Sequence, residues 1–375
     1  MGKTLSEIAQ QLRDSEKKVQ LIYAFNGVGK TRLSREFKEL IAKTDSEEDG
    51  DSKNKVLYYN AFTEDLFYWD NDLDKDVDRK LVIQDNSFTD WILREEGKEK
   101  DIAAHFEHYT NSKTTPRYSP DFSEVTFYIP GQGDPETNKI KISKGEESNF
   151  IWCIFYSMLE AVIEELNEPK ANRSTDRFDD LQYIFIDDPV SSLDENHLIE
   201  LAVDLANLVK GSKSELKFII TTHSPLFFNA IFNEFKNGSK YILIKSEDNM
   251  HKLQMQENDS PFAYHLYILR ELKNAIVMNS IKKYNFNFLR NILEKSATFL
   301  GYPQWGGMLK ELDDKYSARL INLASHSSLS TDESAILTDE DKDIIKKIVE
   351  HLEDKYHFQI NPIQSSTTTS TTSSR

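Results

Sequence analysis

Short apolar runs bounded by polar residues recur through the first two-thirds of the chain: Val19 to Ala24, Val56 to Tyr59, Leu181 to Ile186 and Phe218 to Thr222. Their length and content predict strands, the last two buried. Ser123 to Ile129 and Ile140 to Ile142 predict two further short strands around a Gly/Pro-rich turn. Helical stretches lie between them: a short polar helix within residues 5–19, Arg32 to Ala42, the strongly apolar Asn149 to Leu166, and His197 to Val209. The last has a length suited to a parallel crossover between its two flanking strands. Such alternation predicts an α/β sheet core.

After about Gln256 the strand pattern fades and helical periodicity takes over, in Tyr264 to Ile281, Asn285 to Phe299 and Asp339 to Tyr356. This shift predicts one domain over residues 1–255 and a mainly helical one over 256–364. From Ser365 the chain is Ser and Thr closed by Arg375, a composition that predicts a disordered tail. The acidic stretches Thr44 to Lys53 and Asp70 to Asp78 predict solvated surface loops.

Among 375 residues, 38% are hydrophobic and 11% aromatic, ample for a buried core. The single cysteine, Cys153, excludes a disulfide framework and sits in an apolar run, as a core thiol would. No run approaches the ~20 apolar residues of a membrane span, and no leader is evident, so a cytoplasmic protein without a membrane partner is expected. The net charge of −17 argues against nucleic-acid binding along the whole chain. The charge is uneven, however: residues 261–320 hold nine Lys/Arg against five Asp/Glu. A polyanion would find its favourable patch there, although solvated lysines explain the same count.

Asn26-Gly-Val-Gly-Lys-Thr31 follows a predicted strand and opens a predicted helix, the setting of a phosphate loop. Asn26, Gly27 and Gly29 would turn backbone N–H groups to the phosphates of ATP or GTP, Lys30 would reach the β/γ-phosphates, and Thr31 would ligate Mg²⁺. Ala24 stands where the first glycine of the pattern is usual, which predicts a less tightly wound entry. Tyr183 to Asp188 is a hydrophobic strand ending in two carboxylates. Asp187 is expected to hold Mg²⁺ and Asp188 to activate water. Thr221-Thr-His223 ends the next strand and offers a histidine to the γ-phosphate.

These motifs, in this order, resemble those of ABC-type P-loop NTPases. Ser143-Lys-Gly-Glu146 resembles the ABC signature, with Lys144 in place of a glycine; Ser143, Gly145 and Glu146 would then cap a nucleotide held by a second subunit, implying a homodimer. Pro189 to Asp194 resembles the loop that such subunits present to each other. Asp188 replaces the usual Glu, which implies slow or tightly gated hydrolysis. No clear Q-loop glutamine is present, and Asn60 or Glu64 is the candidate substitute.

Arg290 and Glu294 share a face of a predicted helix, and His326 follows in Ile321 to His326. An ordinary i,i+4 ion pair and a structural histidine would account for them. The same residues could also cleave RNA without a metal: His326 as general acid or base, Glu294 as its counterpart or as orienter of a 2′-OH, Arg290 on the phosphorane oxygens.

Beyond the NTPase motifs, the runs Leu21 to Gly27, Tyr58 to Asp70, Lys144 to Phe150, Phe185 to Asp194 and Thr298 to Pro303 resemble the PrrC family of anticodon nucleases. The resemblance extends from Met1 to about residue 360. It implies an ABC-type domain followed by a helical nuclease domain that cuts tRNA-Lys beside the wobble base, leaving a 2′,3′-cyclic phosphate. It implies that Arg290, Glu294 and His326 form the catalytic triad, and the spacing of Arg319 to His326 resembles a HEPN ribonuclease motif. It also implies a latent antiphage toxin, silenced by a type I restriction–modification complex and released by nucleotide turnover. The segment Gln256 to Pro261 falls where the family reads the anticodon, though a polar linker would look the same. Two departures stand out: a short stretch before Val19 and the Ser/Thr tail.

The alternative is a DNA-repair or phage-defence ABC ATPase of the SMC-like kind, without a nuclease of its own. Its long-armed branch needs a coiled coil between phosphate loop and signature, and Lys30 to Lys141 shows no heptads. A transporter subunit is disfavoured by the appended helical domain and the missing Q-loop. An OLD-type nuclease is disfavoured by the lack of a second carboxylate cluster after residue 255.

Overall fold

The computed structural model describes residues 2–43, 55–60, 63, 65–71, 78–110, 113–132, 139–189, 195–246, 248–256, 264–310, 312 and 337–358. The chain divides into two compact units, residues 1–262 and 263–375. In chain order the first contains α1 (Leu5–Arg13), β1 (Val19–Tyr23), α2 (Lys30–Lys43), β2 (Val56–Tyr59), β3 (Phe67–Asp70), β4 (Lys80–Ile83), α3 (Glu99–Thr110), β5 (Thr115–Tyr118) and β6 (Glu124–Tyr128). It continues with α4 (Lys144–Asn167), β7 (Tyr183–Asp187), α5 (Glu195–Gly211), β8 (Lys217–Thr222), α6 (Pro225–Glu234), β9 (Ser239–Lys245) and β10 (His251–Met255).

Every residue of β1 is buried, as in a strand covered on both faces. It lies within a six-stranded sheet of order β10-β9-β1-β8-β7-β2. Only β10 runs antiparallel to its neighbour, and Val19 aligns with Phe218, Ile184 with Phe218 and Leu57 with Ile184 across the parallel part. The carboxyl ends of β1, β7 and β8 therefore meet at one edge, where ligands bind in open α/β sheets. Helix α1 is started by a capping box in which Thr4 and Glu7 satisfy each other's backbone N–H groups, and it buries Leu5, Ile8, Ala9 and Leu12.

A second, antiparallel sheet of order β3-β4-β6-β5 joins it. β6 alternates, with Val125 and Phe127 buried and Glu124, Thr126 and Tyr128 half-buried. Phe127, Phe106 of α3 and Phe150 of α4 pack edge to face or tilted. Helix α4 is buried nearly all round, which defines a core helix rather than a surface one. Cys153 lies inside it, fully buried, and burial pushes its thiol well up.

Local structure departs from the sequence expectation in several places. Ile140 makes only an isolated bridge to Phe127, so Ile140 to Ile142 is not a strand. Helix α4 begins at Lys144, ahead of the expected Asn149, because Ser143 and Glu146 form a capping box. The first helix ends at Arg13, well before Val19. The 264–281 helix stops at Val277: Asn279 takes φ 49°, and the Ser280 N–H bonds back to the Ala275 carbonyl, a Schellman closure. Strands β3, β4, β5, β9 and β10 and helices α3 and α6 were not expected.

The second unit contains α7 (Tyr264–Val277), α8 (Tyr284–Phe299), a 3₁₀ turn (Trp305–Leu309) and α9 (Asp339–Tyr356). Leu269 and Leu272 of α7, Leu289, Leu293 and Ala297 of α8, and Ile345, Ile348 and Leu352 of α9 form its core at helical spacing. Lys273 of α7 pairs with Glu353 of α9, and His351 bonds the Met308 carbonyl at 3.0 Å. Among the described residues no helix is long and apolar enough to cross a membrane. The Ser/Thr tail lies outside the described residues.

Candidate functional site

Residues 24–29 connect β1 to α2 at the ligand edge of the sheet. Gly27 and Gly29 take φ 80° and 112°, conformations that suit glycine and turn successive N–H groups to one side. Ala24 does not share this geometry. It is fully buried, and its N–H bonds the Thr222 carbonyl at 2.9 Å, prolonging the β1–β8 ladder. The winding therefore starts after Ala24, at a position where no glycine conformation is needed.

Lys30 is 7% exposed and its ammonium is shared among three oxygens: the Ala24 carbonyl and Asn26 Oδ1, each at 3.3 Å, and Asp188 Oδ2 at 3.2 Å. Thr31 Oγ1 donates to Asp187 Oδ2 at 2.6 Å, and Thr221 donates to the other Asp187 oxygen. Burial pushes the Asp187 carboxyl up; the bonds from Thr221 and Thr31 oppose this and adjacent Asp188 reinforces it. A buried carboxylate and a hydroxyl facing each other are hard oxygen donors that fit Mg²⁺, whose charge would offset the cost of that burial.

Asp188 behaves oppositely. Burial pushes its carboxyl up, but the His223 ring, the Lys30 charge and the His223 backbone N–H outweigh that and hold it below its ordinary value. His223 Nδ1 lies 2.6 Å from Asp188 Oδ1 and its backbone N–H donates to the same oxygen at 2.9 Å. Asp188 also takes φ 54°, a conformation that costs of order 1–3 kcal/mol and clusters at functional sites. The two neighbouring carboxyls are thus driven apart in acidity, Asp187 upward by burial and Asp188 downward by His223 and Lys30.

Ser143 and Glu146 are engaged with each other: Glu146 accepts from the Ser143 N–H at 2.8 Å, and Ser143 Oγ accepts from the Glu146 N–H at 3.2 Å. Lys144 pairs with buried Glu147 at 2.6 Å. Among the described residues none of Ser143, Gly145 and Glu146 bonds to Lys30, Asp187 or Asp188. Of the Q-loop candidates, Asn60 is fully buried at the end of β2 and donates to Ser34 Oγ at 3.2 Å, which in turn donates to the Thr31 carbonyl at 2.8 Å. Glu64 and Val190 to Asp194 lie outside the described residues.

Several participants escaped the sequence reading. Ser34 and Thr63, whose Oγ1 accepts from the Asn60 N–H at 3.2 Å, carry no motif of their own, and the bond from Thr221 to Asp187 has no sequence mark. His251 of β10 is buried below the phosphate loop and bonds the Val28 carbonyl through Nε2 at 2.9 Å. Only the strand pairing brings it there.

In the second unit, Arg290 Nε donates to Glu294 Oε1 at 2.7 Å on α8, with the side chains 38% and 43% exposed. They flank the buried Leu289–Leu293 ridge, so both heads reach solvent. His326 and Arg319 lie outside the described residues, as do residues 257–261. Gln256, the last described residue before them, donates its N–H to the Lys240 carbonyl at 2.7 Å.

The parallel sheet, the glycine-rich loop and the Thr31–Asp187 pair define a P-loop NTPase domain of the AAA/ABC type. A family model described as an AAA domain matches residues 122–353. An anticodon nuclease from Escherichia coli is 48% identical over 389 aligned residues, which cover 96% of this chain and 98% of that protein. The chain belongs to the anticodon nuclease family. Among solved structures, the SMC head domain from Thermotoga maritima aligns with 65% of this chain and 92% of its own at 11% identity and a TM-score of 0.31. RNase-L Inhibitor aligns with 69% of this chain and 37% of its own at 12% identity and a TM-score of 0.30. At such scores these superpositions add nothing to what the sheet order and the loop define.

Proposed function

We propose that this chain is a tRNA anticodon-loop endoribonuclease whose second unit cuts the RNA and whose P-loop unit gates the cut by binding and hydrolysing ATP or GTP. What supports the reading is the likeness to the Escherichia coli anticodon nuclease, which spans both units and not the NTPase alone. The substrate is tRNA-Lys, cut beside the wobble base, and the product end is a 2′,3′-cyclic phosphate.

Glu294 accepts or orients the proton of the attacking 2′-OH, His326 exchanges the complementary proton at the leaving 5′-oxygen, and Arg290 stabilises the phosphorane oxygens. All three act as side-chain acid, base and charge, so the cut requires no metal. In the first unit a bound Mg²⁺, held by Thr31 and Asp187, would neutralise charge on the β/γ-phosphates. Asp188 activates the attacking water. With Lys30 and His223 both on its oxygens, Asp188 is restrained until nucleotide draws them away, and that restraint is the gate. Ser143, Gly145 and Glu146 cap the partner's γ-phosphate in a homodimer. The setting is antiphage defence, with a type I restriction–modification complex as the silencing partner.

The test is to express the full chain as wild type and as His326→Ala and to map cleaved ends across total tRNA, with nucleotide added and restriction partners absent. A single anticodon-loop cut in wild type alone, with NTP hydrolysis equal in both, is expected. Intact tRNA in wild type, or loss of hydrolysis together with cleavage in His326→Ala, would remove this reading.

A further inference from the structure

The run Thr298 to Pro303 shapes the surface beside Glu294. Helix α8 ends in a Schellman closure: the Tyr302 N–H bonds the Ala297 carbonyl at 2.8 Å, the Gly301 N–H bonds that of Thr298 at 3.2 Å, and Gly301 takes φ 77°. This closure folds the chain back along its own helix and leaves a groove of about 470 Å³ lined by Glu294, Thr298, Tyr302, Gln304 and Trp305 among others.

Its aromatic wall is fixed. The Tyr302 ring packs so closely on Gly307 that a Cβ there would lie 3.0 Å from it, and Tyr302 Oη accepts from Tyr356 Oη at 3.2 Å. Trp305 is half-buried beside it, packed against the core and lining the groove. Thr298 and the exposed Gln304 bring hydrogen-bonding groups to the same groove. Phe299, next to Thr298, is 88% exposed, an apolar ring held in water at the end of the helix that carries Arg290 and Glu294.

We infer that this groove is a nucleobase subsite: it takes an unpaired base adjoining the scissile phosphate, stacked on Trp305 and Tyr302 with its polar edge toward Gln304. The inference rests on the nuclease reading above. Rigid aromatic faces with a few polar groups suit an unstacked RNA base, because single-stranded loops are recognised by stacking and edge contacts. Glu294 forms one end of the groove, so a base seated there leaves its own ribose or the neighbouring one beside the carboxylate. A positioned base thus sets which phosphate is cut.

The experiment is a cycle between protein and RNA, using the full-length chain with nucleotide. Substrates are a synthetic anticodon stem-loop and versions with an abasic ribose at each position flanking the cut. Enzymes are wild type and Trp305→Leu, which keeps apolar bulk in the core; Gln304→Ala serves as a second variant away from the core. At one flanking position the abasic change should lower wild-type kcat/KM by roughly 5- to 150-fold, the loss of one base–aromatic stack. Trp305→Leu should lose a similar factor on the intact loop and almost nothing more on that abasic loop, with NTP hydrolysis unchanged. Gln304→Ala should alter the preference among bases at that same position. Multiplying losses at every position, or base preference unaltered by Gln304→Ala, would overturn the subsite while wild-type cleavage kept the nuclease reading intact. Failure of wild type on the intact loop would instead remove both.

Discussion

Lys30 Nζ lies 3.2 Å from Asp188 Oδ2, so the lysine of the phosphate loop and the acid at the end of β7 neutralise each other. Both ends of the pair have work to do elsewhere when a nucleotide arrives. Asp188→Asn should therefore keep nucleotide affinity within a few-fold of wild type while slowing hydrolysis by about 10²–10⁴. Phosphate release beside a fluorescent-nucleotide titration measures both, and unchanged hydrolysis would remove Asp188 as the base. Lys30→Ala should lose binding and, with it, the response of RNA cleavage to nucleotide.

The acid side of the hydrolysis profile carries a second prediction. Asp188 has a folded-state pKa below its ordinary value of 3.8. Its pairing therefore stabilises the fold fully above that ordinary value, and the contribution is lost as pH falls through the folded value. Asp188 imposes no acidic limb on hydrolysis near pH 5 in wild type. His223→Ala removes the ring bond and the backbone N–H remains, so the limb should move to higher pH. The pH dependence of kcat/KM, which reports the nucleotide-free enzyme, followed from pH 3 to 8, resolves this, and an unmoved limb would count against the pair.

Asn60 links the end of β2 to the Thr31 carbonyl through Ser34. Asn60→Ala leaves the buried Ser34 hydroxyl one donor short, and should cost about 1–3 kcal/mol of stability. Hydrolysis should fall more than nucleotide binding does, because the change displaces the Mg²⁺-side hydroxyl rather than the phosphate cradle. Urea denaturation and a kcat against KM comparison check the two parts separately.

Arg290 and Glu294 are exposed enough that their ion pair contributes little, on the order of 0.3–0.5 kcal/mol for such a helix pair. Arg290→Lys keeps the charge but loses the planar fork. It should leave the thermal transition nearly unchanged and lower anticodon-loop cleavage at least tenfold. Wild-type cleavage by Arg290→Lys would return the pair to the role of an ordinary surface salt bridge.

Gly301→Ala tests the closure that shapes the groove. At φ 77° an alanine is strained by about 1 kcal/mol. The second unit should melt earlier, with cleavage impaired and NTP hydrolysis spared. Differential scanning calorimetry beside the two activity assays would show it.

The placement of the candidate site in the first unit was largely legible because it is local. Lys30 and Thr31 follow their glycines, and Asp187 and Asp188 close an apolar strand, so each position is marked by its neighbours in sequence. The Ser143-to-Glu146 spacing was likewise a readable helix start, although the apolar run beginning near Asn149 was the stronger signal. What stayed hidden is set by distant pairing. His251 reaches Val28 only because β10 lies antiparallel to β9 and β9 parallel to β1. Thr221 became the second partner of Asp187 through the β7–β8 register, which aligns those two residues. The left-handed turn at Asp188 has no sequence mark, since aspartate is merely tolerated there. In the second unit, Arg290 and Glu294 could be placed on one helix face, but the groove beside them depends on a turn at Gly301 whose hydrogen bonds emerge only from coordinates.

The His251–Val28 bond has a mechanical consequence. The strand that carries His251 is also the last strand before the chain leaves the NTPase unit, and His251 stands only five residues from Gln256. A phosphate loop that closes or relaxes must move the Val28 carbonyl with His251 or part from it. Either event alters the contact at the first residue of that strand. One imidazole thus joins the phosphate loop directly to the exit strand of the NTPase unit.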